Sequence, residues 1–462
     1  MLKLREVPVQ LDMQETVGAG QRTAEAHDDS KVETWSSVMV LLAARIRQFA
    51  YGFADQTLAV GGTFLVNVVL ARTQSKEEYG MFALSYSVFT FLSGLYNAAI
   101  LEPYTIYGAG RYRDHFAEYL RLMVRSNFVV SALLSSLLLL VAGVLWWSTP
   151  HLAFRALLGL ALTIGLLLSG AFLRRVFYVR RQPFDAARIS FTCLVAVAAG
   201  IWIAIRAQIF NSFSAFLILG LGWLTAAAFS VRRLPLGDLR SRFLEREPQY
   251  WKEHWKYARW VLATAFVFQL TSQGYYWLVA ALLSVKEVAE LKAVYVLVAP
   301  IDQIFIALSF LFLPALSLHH ATGDTKRFLS LHKQYALGIL ATSAIFALAV
   351  RIVGTPLMHF LYAGKFDDLS PLLYILAFLP MIMGFGDTMN NALKAGERPR
   401  FVFYAYVCSG AVTFLAGIPL VAHLGVRGAV YGLLLSGGSY MIALAVGFSS
   451  MLARMGRQLR TS

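Results

Sequence analysis

The chain carries little charge for its length. Aspartate, glutamate, lysine and arginine make up 15% of its 462 residues, where a soluble domain carries roughly a quarter. That shortage excludes an ordinary water-facing globule, and the 58% of hydrophobic residues points to a membrane protein instead. Cysteine is nearly absent: Cys193 and Cys408 both fall inside apolar runs, so no disulfide framework is expected and both read as small buried residues. A P-loop is missing, which argues against ATP hydrolysis by this chain. His319 and His320 are adjacent and lack helical metal-ligand spacing, so no metal site is expected. No apolar core before a small-residue cleavage site opens the chain.

Acid is scarcer than base, and the net charge is +15. In a soluble protein that surplus would suggest nucleic acid. Here the basic residues sit between apolar runs, the pattern of cytoplasmic loops, and no nucleic-acid partner is expected.

The apolar runs number twelve, near 49–71, 81–106, 120–147, 152–173, 186–209, 212–231, 258–283, 291–318, 333–353, 369–390, 401–421 and 426–452. A helix rising about 1.5 Å per residue over about 20 residues spans the roughly 30 Å hydrocarbon core. The even-to-odd connections carry Arg111, Arg113 and Arg121, then Arg174, Arg175, Arg180 and Arg181, then the stretch from Arg232 to Arg259, and further Lys and Arg groups toward the C-terminus. The opposite connections are short and poor in cations, so both termini are expected in the cytoplasm. The expected fold is all-α and integral to the membrane, with twelve transmembrane helices in two pseudo-symmetric six-helix bundles. The expected divisions are a tail and interfacial helix over 1–47, a first bundle over 48–231, a cytoplasmic linker over 232–257, a second bundle over 258–453 and a tail over 454–462. Within the first of these, Lys31 to Arg47 is moderately amphipathic and reads as lying along the membrane surface.

The two halves echo each other at an offset of about 210 residues. SKEEYGMFA follows span one and VKEVAELKA follows span seven, while RRQPFDAAR and GERPRFVFY each place a proline just before the next helix. A parallel repeat with a cleft between two bundles suits an alternating-access transporter.

Polar groups inside spans are costly and usually face a cavity or a partner. Asp55, Glu102 and Arg125 fall at similar depth near the cytoplasmic side. They read either as a neutralised network bracing the bundle or as a gate, or a proton or sodium site. Asp302 falls near the midplane beside Pro300, which frees backbone groups there. Gln269, Gln273 and Tyr276 share a face of span seven, and with Asp302 they are expected to line a cavity for substrate or ion. Asp387, Asn390 and Asn391 cluster near the inner end of span ten, and the repeat aligns Asn390 and Asn391 with Arg174 and Arg175.

The run LVNVVLARTQSKEEYGMFAL, an apolar helix with an L-A-R exit, a short acidic loop and then Y-G, resembles the first hairpin of bacterial polysaccharide flippases. These are the Wzx-type branch of the multidrug/oligosaccharidyl-lipid/polysaccharide exporter superfamily. The resemblance implies an inner-membrane transporter, not an enzyme, needing no cofactor beyond a coupling proton or sodium ion. Its substrate would be a polyprenyl-diphosphate-linked oligosaccharide moved to the outer leaflet for O-antigen or exopolysaccharide assembly. Membrane lipids, a polysaccharide polymerase and glycosyltransferases would be its partners. Arg174, Arg175, Asp387, Asn390 and Asn391 would then lie where an anionic head group enters from the cytoplasm, while Arg174 and Arg175 also read simply as solvated, snorkelling arginines. Such flippases are expected to line their cavity with cations, whereas the midplane candidates here are acid and amide. A cation-coupled drug or organic-cation antiporter of the same superfamily therefore stands as the alternative. A membrane-embedded polymerase is a weaker alternative, because the longest outer connection, about Gly354 to Leu369, is small for a sugar-holding domain.

Overall fold

In a bilayer every backbone N–H and C=O must be satisfied within the segment, so long apolar runs become helices. The computed structural model describes residues 26–112, 115–148, 151–230 and 247–461, and among these no strand occurs. By compactness the chain divides into Met1–Ala50, helical from Ala26, and Tyr51–Ser462, which holds the remaining helices.

The helices are α1 (Ala26–Thr73), α2 (Lys76–Tyr96), α3 (Glu102–Ala109), α4 (Phe116–Ser148), α5 (His151–Val179), α6 (Pro183–Arg206) and α7 (Ser212–Ser230). The second half holds α8 (Glu247–Leu282), α9 (Val285–Val298), α10 (Ile301–Ala321), α11 (Thr325–Tyr362), α12 (Ser370–Leu376), α13 (Leu379–Ala395), α14 (Pro399–Leu415) and α15 (Gly417–Thr461). Among the described residues ten segments are long and apolar enough to cross a membrane. Alongside them α8, of 36 residues, and α14, of 17, occupy the seventh and eleventh predicted positions. Among the described residues the protein is all-helical, a multi-pass membrane protein with many apolar spans. The residues 1–25, Arg113 and most of the predicted linker, 231–246, lie outside the described residues, and from Glu247 on the linker is already α8.

Three spans are broken, each for a local reason. Pro103 has no N–H to give the Ala99 carbonyl, and the preceding residues 97–101 widen into a π turn in which the Glu102 N–H bonds to Asn97 instead. The freed Ala99 carbonyl accepts from His254 Nε2 at 2.7 Å. Span eight divides at Ala299 and Pro300, and span ten divides at Ala377 and Phe378, just before Pro380. The structure also moves predicted boundaries: α11 runs far beyond 333–353, and α15 starts at Gly417 with a kink at Gly425, whose φ is 60°.

The duplication read from the sequence has a backbone counterpart. At the end of α5, Arg181 takes a left-handed conformation (φ 56°) and Gln182 N–H reaches back to the Phe177 carbonyl at 2.9 Å. At the end of α13, Glu397 does the same (φ 56°) and Arg398 N–H reaches Leu393 at 2.8 Å. Both are helix-ending motifs of the kind that usually uses glycine, and in each the proline two residues on opens the next helix. Each half also opens its second span with a serine cap. Ser75 accepts from the Glu78 N–H at 3.2 Å, and Ser284 accepts from the Lys286 N–H at 3.2 Å.

In the first half α5 is central, packed on α2, α4, α6 and α7; in the second, α15 packs on α8, α13 and α14, with α10 and α11 beside α13. The halves meet where α2 packs on α8 and α9. That approach needs glycine: a Cβ on Gly80 would sit 2.0 Å from the Val285 carbonyl oxygen, and one on Gly94 would sit 1.9 Å from Gln269 Nε2.

Candidate functional site

The break in span eight builds the first site. Val298 ends α9, Pro300 caps α10, and Asp302 falls in the first turn of α10, where the helix dipole favours a negative charge. It faces a cavity of about 360 Å³ enclosed by α8, α9, α10, α13, α14 and α15. Asp387 of α13 lines the same cavity, held by the Tyr440 hydroxyl at 3.2 Å. Tyr440 in turn stacks on Tyr406, with centroids 5.0 Å apart. Deeper in the wall, Tyr275, Ser436 and Thr413 join hydroxyl to hydroxyl at 2.8 and 3.0 Å. Among the described residues no cation pairs with either carboxylate, and none donates a side-chain hydrogen bond to Asp302. Two such acids in one low-dielectric chamber favour the uptake of a proton or a small cation.

Asp302 therefore lines a cavity, as its depth suggests, but its expected companions do not. The wall of α8 that reaches the cavity is formed by Phe268, Thr271, Ser272 and Tyr275. The neighbouring face, with Gln269, Gln273 and Tyr276, is not among the lining residues. Gln269 abuts Gly94 of α2, Gln273 bonds to Ser272 at 3.1 Å, and Tyr276 meets Tyr295 edge-on.

The acid and base residues expected at the cytoplasmic side also pair differently from the expected trio. Asp55 is fully buried and faces Arg174, whose Nη2 lies 2.6 Å from Oδ2 and whose Nε lies 3.1 Å from Oδ1. Tyr178 donates to the same carboxylate at 2.6 Å, and so does Ser190. Glu102 accepts from Tyr257 of α8 at 2.9 Å, and Arg125 lies on an exposed face of α4. Arg174 thus takes the place expected of Arg125, and its charge is already balanced by Asp55. Arg175 bonds to Asn97 at 3.0 Å. Asn391 bridges Ser309 and Tyr335 at 3.1 and 3.0 Å, while Asn390 is buried. Among the described residues no group of three or more histidine, cysteine, aspartate or glutamate residues is placed to hold a metal ion.

One functional candidate is absent from the sequence reading. Lys292 of α9 points its ammonium over the rings of Tyr86 of α2 and Tyr276 of α8, 5.0 and 5.4 Å from their centroids. No described carboxylate forms an ion pair with it. It lies about 10 Å along α9 from its start, at the junction of the two halves. Its signal was a single lysine in the apolar run LKAVYVLV.

No protein-family profile matches the chain, and no curated protein sequence matches it. Solved structures do match. An inward-facing multidrug resistance MATE family transporter of the MOP superfamily is similar with a TM-score of 0.69 at 12% identity, covering 88% of this chain and 96% of that one. The lipid II flippase MurJ in an inward closed conformation is similar with a TM-score of 0.67 at 14% identity, covering 89% and 92%. A MOP superfamily transporter from Pyrococcus furiosus, described by the reverse polarity of its binding pocket, has a TM-score of 0.64 at 11% identity, covering 89% and 95%. Across nearly its whole length, the chain has the fold of the MATE and MurJ transporters.

Proposed function

We propose that the chain is a transporter of the bacterial inner membrane that turns a polyprenyl-diphosphate-linked oligosaccharide from the cytoplasmic to the outer leaflet. Transport runs by alternating access of the halves 48–231 and 258–453, with both termini cytoplasmic. The observation that carries this reading is Lys292, a cation between the halves held by two aromatic faces and, among the described residues, by no carboxylate. An ammonium so placed lacks a counter-charge, and a passing diphosphate supplies one. The likeness in fold to a lipid II flippase supports a lipid-linked cargo. The acidic cavity of Asp302 and Asp387 then serves the coupling ion, a proton or sodium.

That same cavity favours a second reading. Two carboxylates with Tyr406 and Tyr440 also suit an organic cation, the cargo of a drug antiporter. Binding to purified protein separates the two, with undecaprenyl diphosphate and tetraphenylphosphonium as probes. The flippase reading expects undecaprenyl diphosphate to bind, to lose affinity about tenfold or more in Lys292→Ala, and to be little affected by Asp302→Asn. Tetraphenylphosphonium binding that depends on Asp302, with no diphosphate binding, would establish the antiporter reading instead.

A further inference from the structure

At the end of the bundle opposite the basic connections, the two halves are joined by an arrangement that neither cargo reading uses. The connection between α11 and α12 turns back on itself through two left-handed residues, Ala363 (φ 54°) and Gly364 (φ 82°). The turn drives Phe366 inward until its ring has no exposed surface. It meets Tyr79 of the first half edge-on at 6.2 Å and Tyr362 of the second half at 5.3 Å, while Lys76 Nζ lies 5.1 Å above it. The Tyr362 hydroxyl is fixed to the Ala293 carbonyl at 2.9 Å. Lys365 donates to the Gln74 carbonyl at 2.8 Å, and Arg72 donates to the Phe360 carbonyl. Each of these last two bonds crosses from one half to the other.

Two ion pairs close the same seam in opposite directions. Lys76 of α2 reaches Glu290 of α9 at 2.8 Å, and Lys286 of α9 reaches Glu77 of α2 at 2.9 Å. Below them Gly80 lets the backbones of α2 and α9 touch. Both pairs keep contact with solvent, Lys76–Glu290 being half-buried and Lys286–Glu77 more open; pairs that water still reaches are weak and readily exchanged, which suits a seam that must open repeatedly. The aromatic plug supplies the apolar seal that the ion pairs do not.

We propose that the connection 363–369, with Phe366 as plug and the Lys76–Glu290 and Lys286–Glu77 pairs as latches, is the outer gate of the transporter. The conformation described here holds that gate shut. Opening at the outer end withdraws Phe366 from between Tyr79 and Tyr362 and parts both ion pairs. The device depends on the two halves separating and not on which cargo passes between them.

The test uses full-length protein in intact cells, with Cys193 and Cys408 replaced by serine and a reporter introduced as Ser87→Cys. Ser87 is buried on α2, accepts a bond from Trp277 of α8 at 2.9 Å, and lies about 12 Å below Tyr79 along the helix. Labelling by a membrane-impermeant thiol reagent added outside is expected to rise several-fold in Phe366→Ala. Should that variant fail to accumulate, Lys76→Glu is expected to raise labelling in the same way, and the exchange Lys76→Glu with Glu290→Lys to bring it back. Labelling unchanged in both variants, or equally raised in the exchange variant, would overturn the gate.

Discussion

Arg174 grips Asp55 with two nitrogens across the α1–α5 contact, leaving the carboxylate no exposed surface. The Tyr178 and Ser190 hydroxyls complete its hydrogen bonding. A pair so enclosed costs much to break and less to remove whole, because a single substitution strands a desolvated charge. Asp55→Asn or Arg174→Gln alone should therefore cost about 3–5 kcal/mol of stability. The double variant should cost clearly less than the sum. Thermal unfolding in detergent checks this, and simple additivity would mean that the two charges act independently.

A second contact gives a pH dependence. Near the start of α8, before the predicted seventh span, Glu253 accepts from Tyr112 and lies 3.1 Å from Arg111. The Tyr112 hydroxyl, with Gln249 and Arg111, holds its carboxyl below the usual glutamate range, against a smaller upward push from burial. A carboxyl depressed in the folded state contributes stability above its unfolded value, about 4.3, and loses it as pH falls through the lower folded value. Glu253→Gln should thus be less stable than the parent at pH 6, with the gap closing as pH falls below about 4. A gap that stays constant across that range would remove the carboxylate from the account.

The helical class, the many apolar spans and the matched proline turns are legible because they rest on apolar length and on proline placement, which the chain states directly. The turns ending at Arg181 and Glu397 even reproduce one hydrogen-bond pattern at the two prolines matched in the sequence. Azimuth was not legible. Depth along a helix places Asp55 and Arg125 at one level, but depth does not say which way a side chain points, and Arg174 is the residue that points at Asp55. The same holds for α8, where both adjoining faces carry polar groups and the one with Thr271 and Ser272 turns to the cavity. Lys292 is hidden in the sequence for a different reason. A span starting at 291 leaves it at the membrane edge, where lysines snorkel, whereas α9 starts at Val285 and carries it about two turns deeper.

The acidic cavity predicts a coupling defect without a folding defect. Asp302 makes no side-chain hydrogen bond among the described residues, so Asp302→Asn removes a charge and strands no partner. Protein levels should match the parent, while the dependence of transport on external pH or sodium should flatten. Swinging a two-state equilibrium from one extreme to the other needs about 5.5 kcal/mol of differential binding, so even partial loss should slow turnover by tenfold or more. Undiminished ion dependence in a well-expressed Asp302→Asn variant would place the coupling site elsewhere.

The central claim is that this chain moves a lipid-linked diphosphate past Lys292. The most direct measurement places the purified protein in sealed vesicles with a lipid-diphosphate oligosaccharide in the inner leaflet and follows its appearance at the outer leaflet. An ion gradient is imposed and a sugar-cleaving enzyme is added outside. The account predicts gradient-dependent exposure of the sugar by the parent and its loss in Lys292→Ala, with Lys292→Arg retaining a substantial part. Exposure unaffected by Lys292→Ala, or none from an active and well-folded parent, would contradict it.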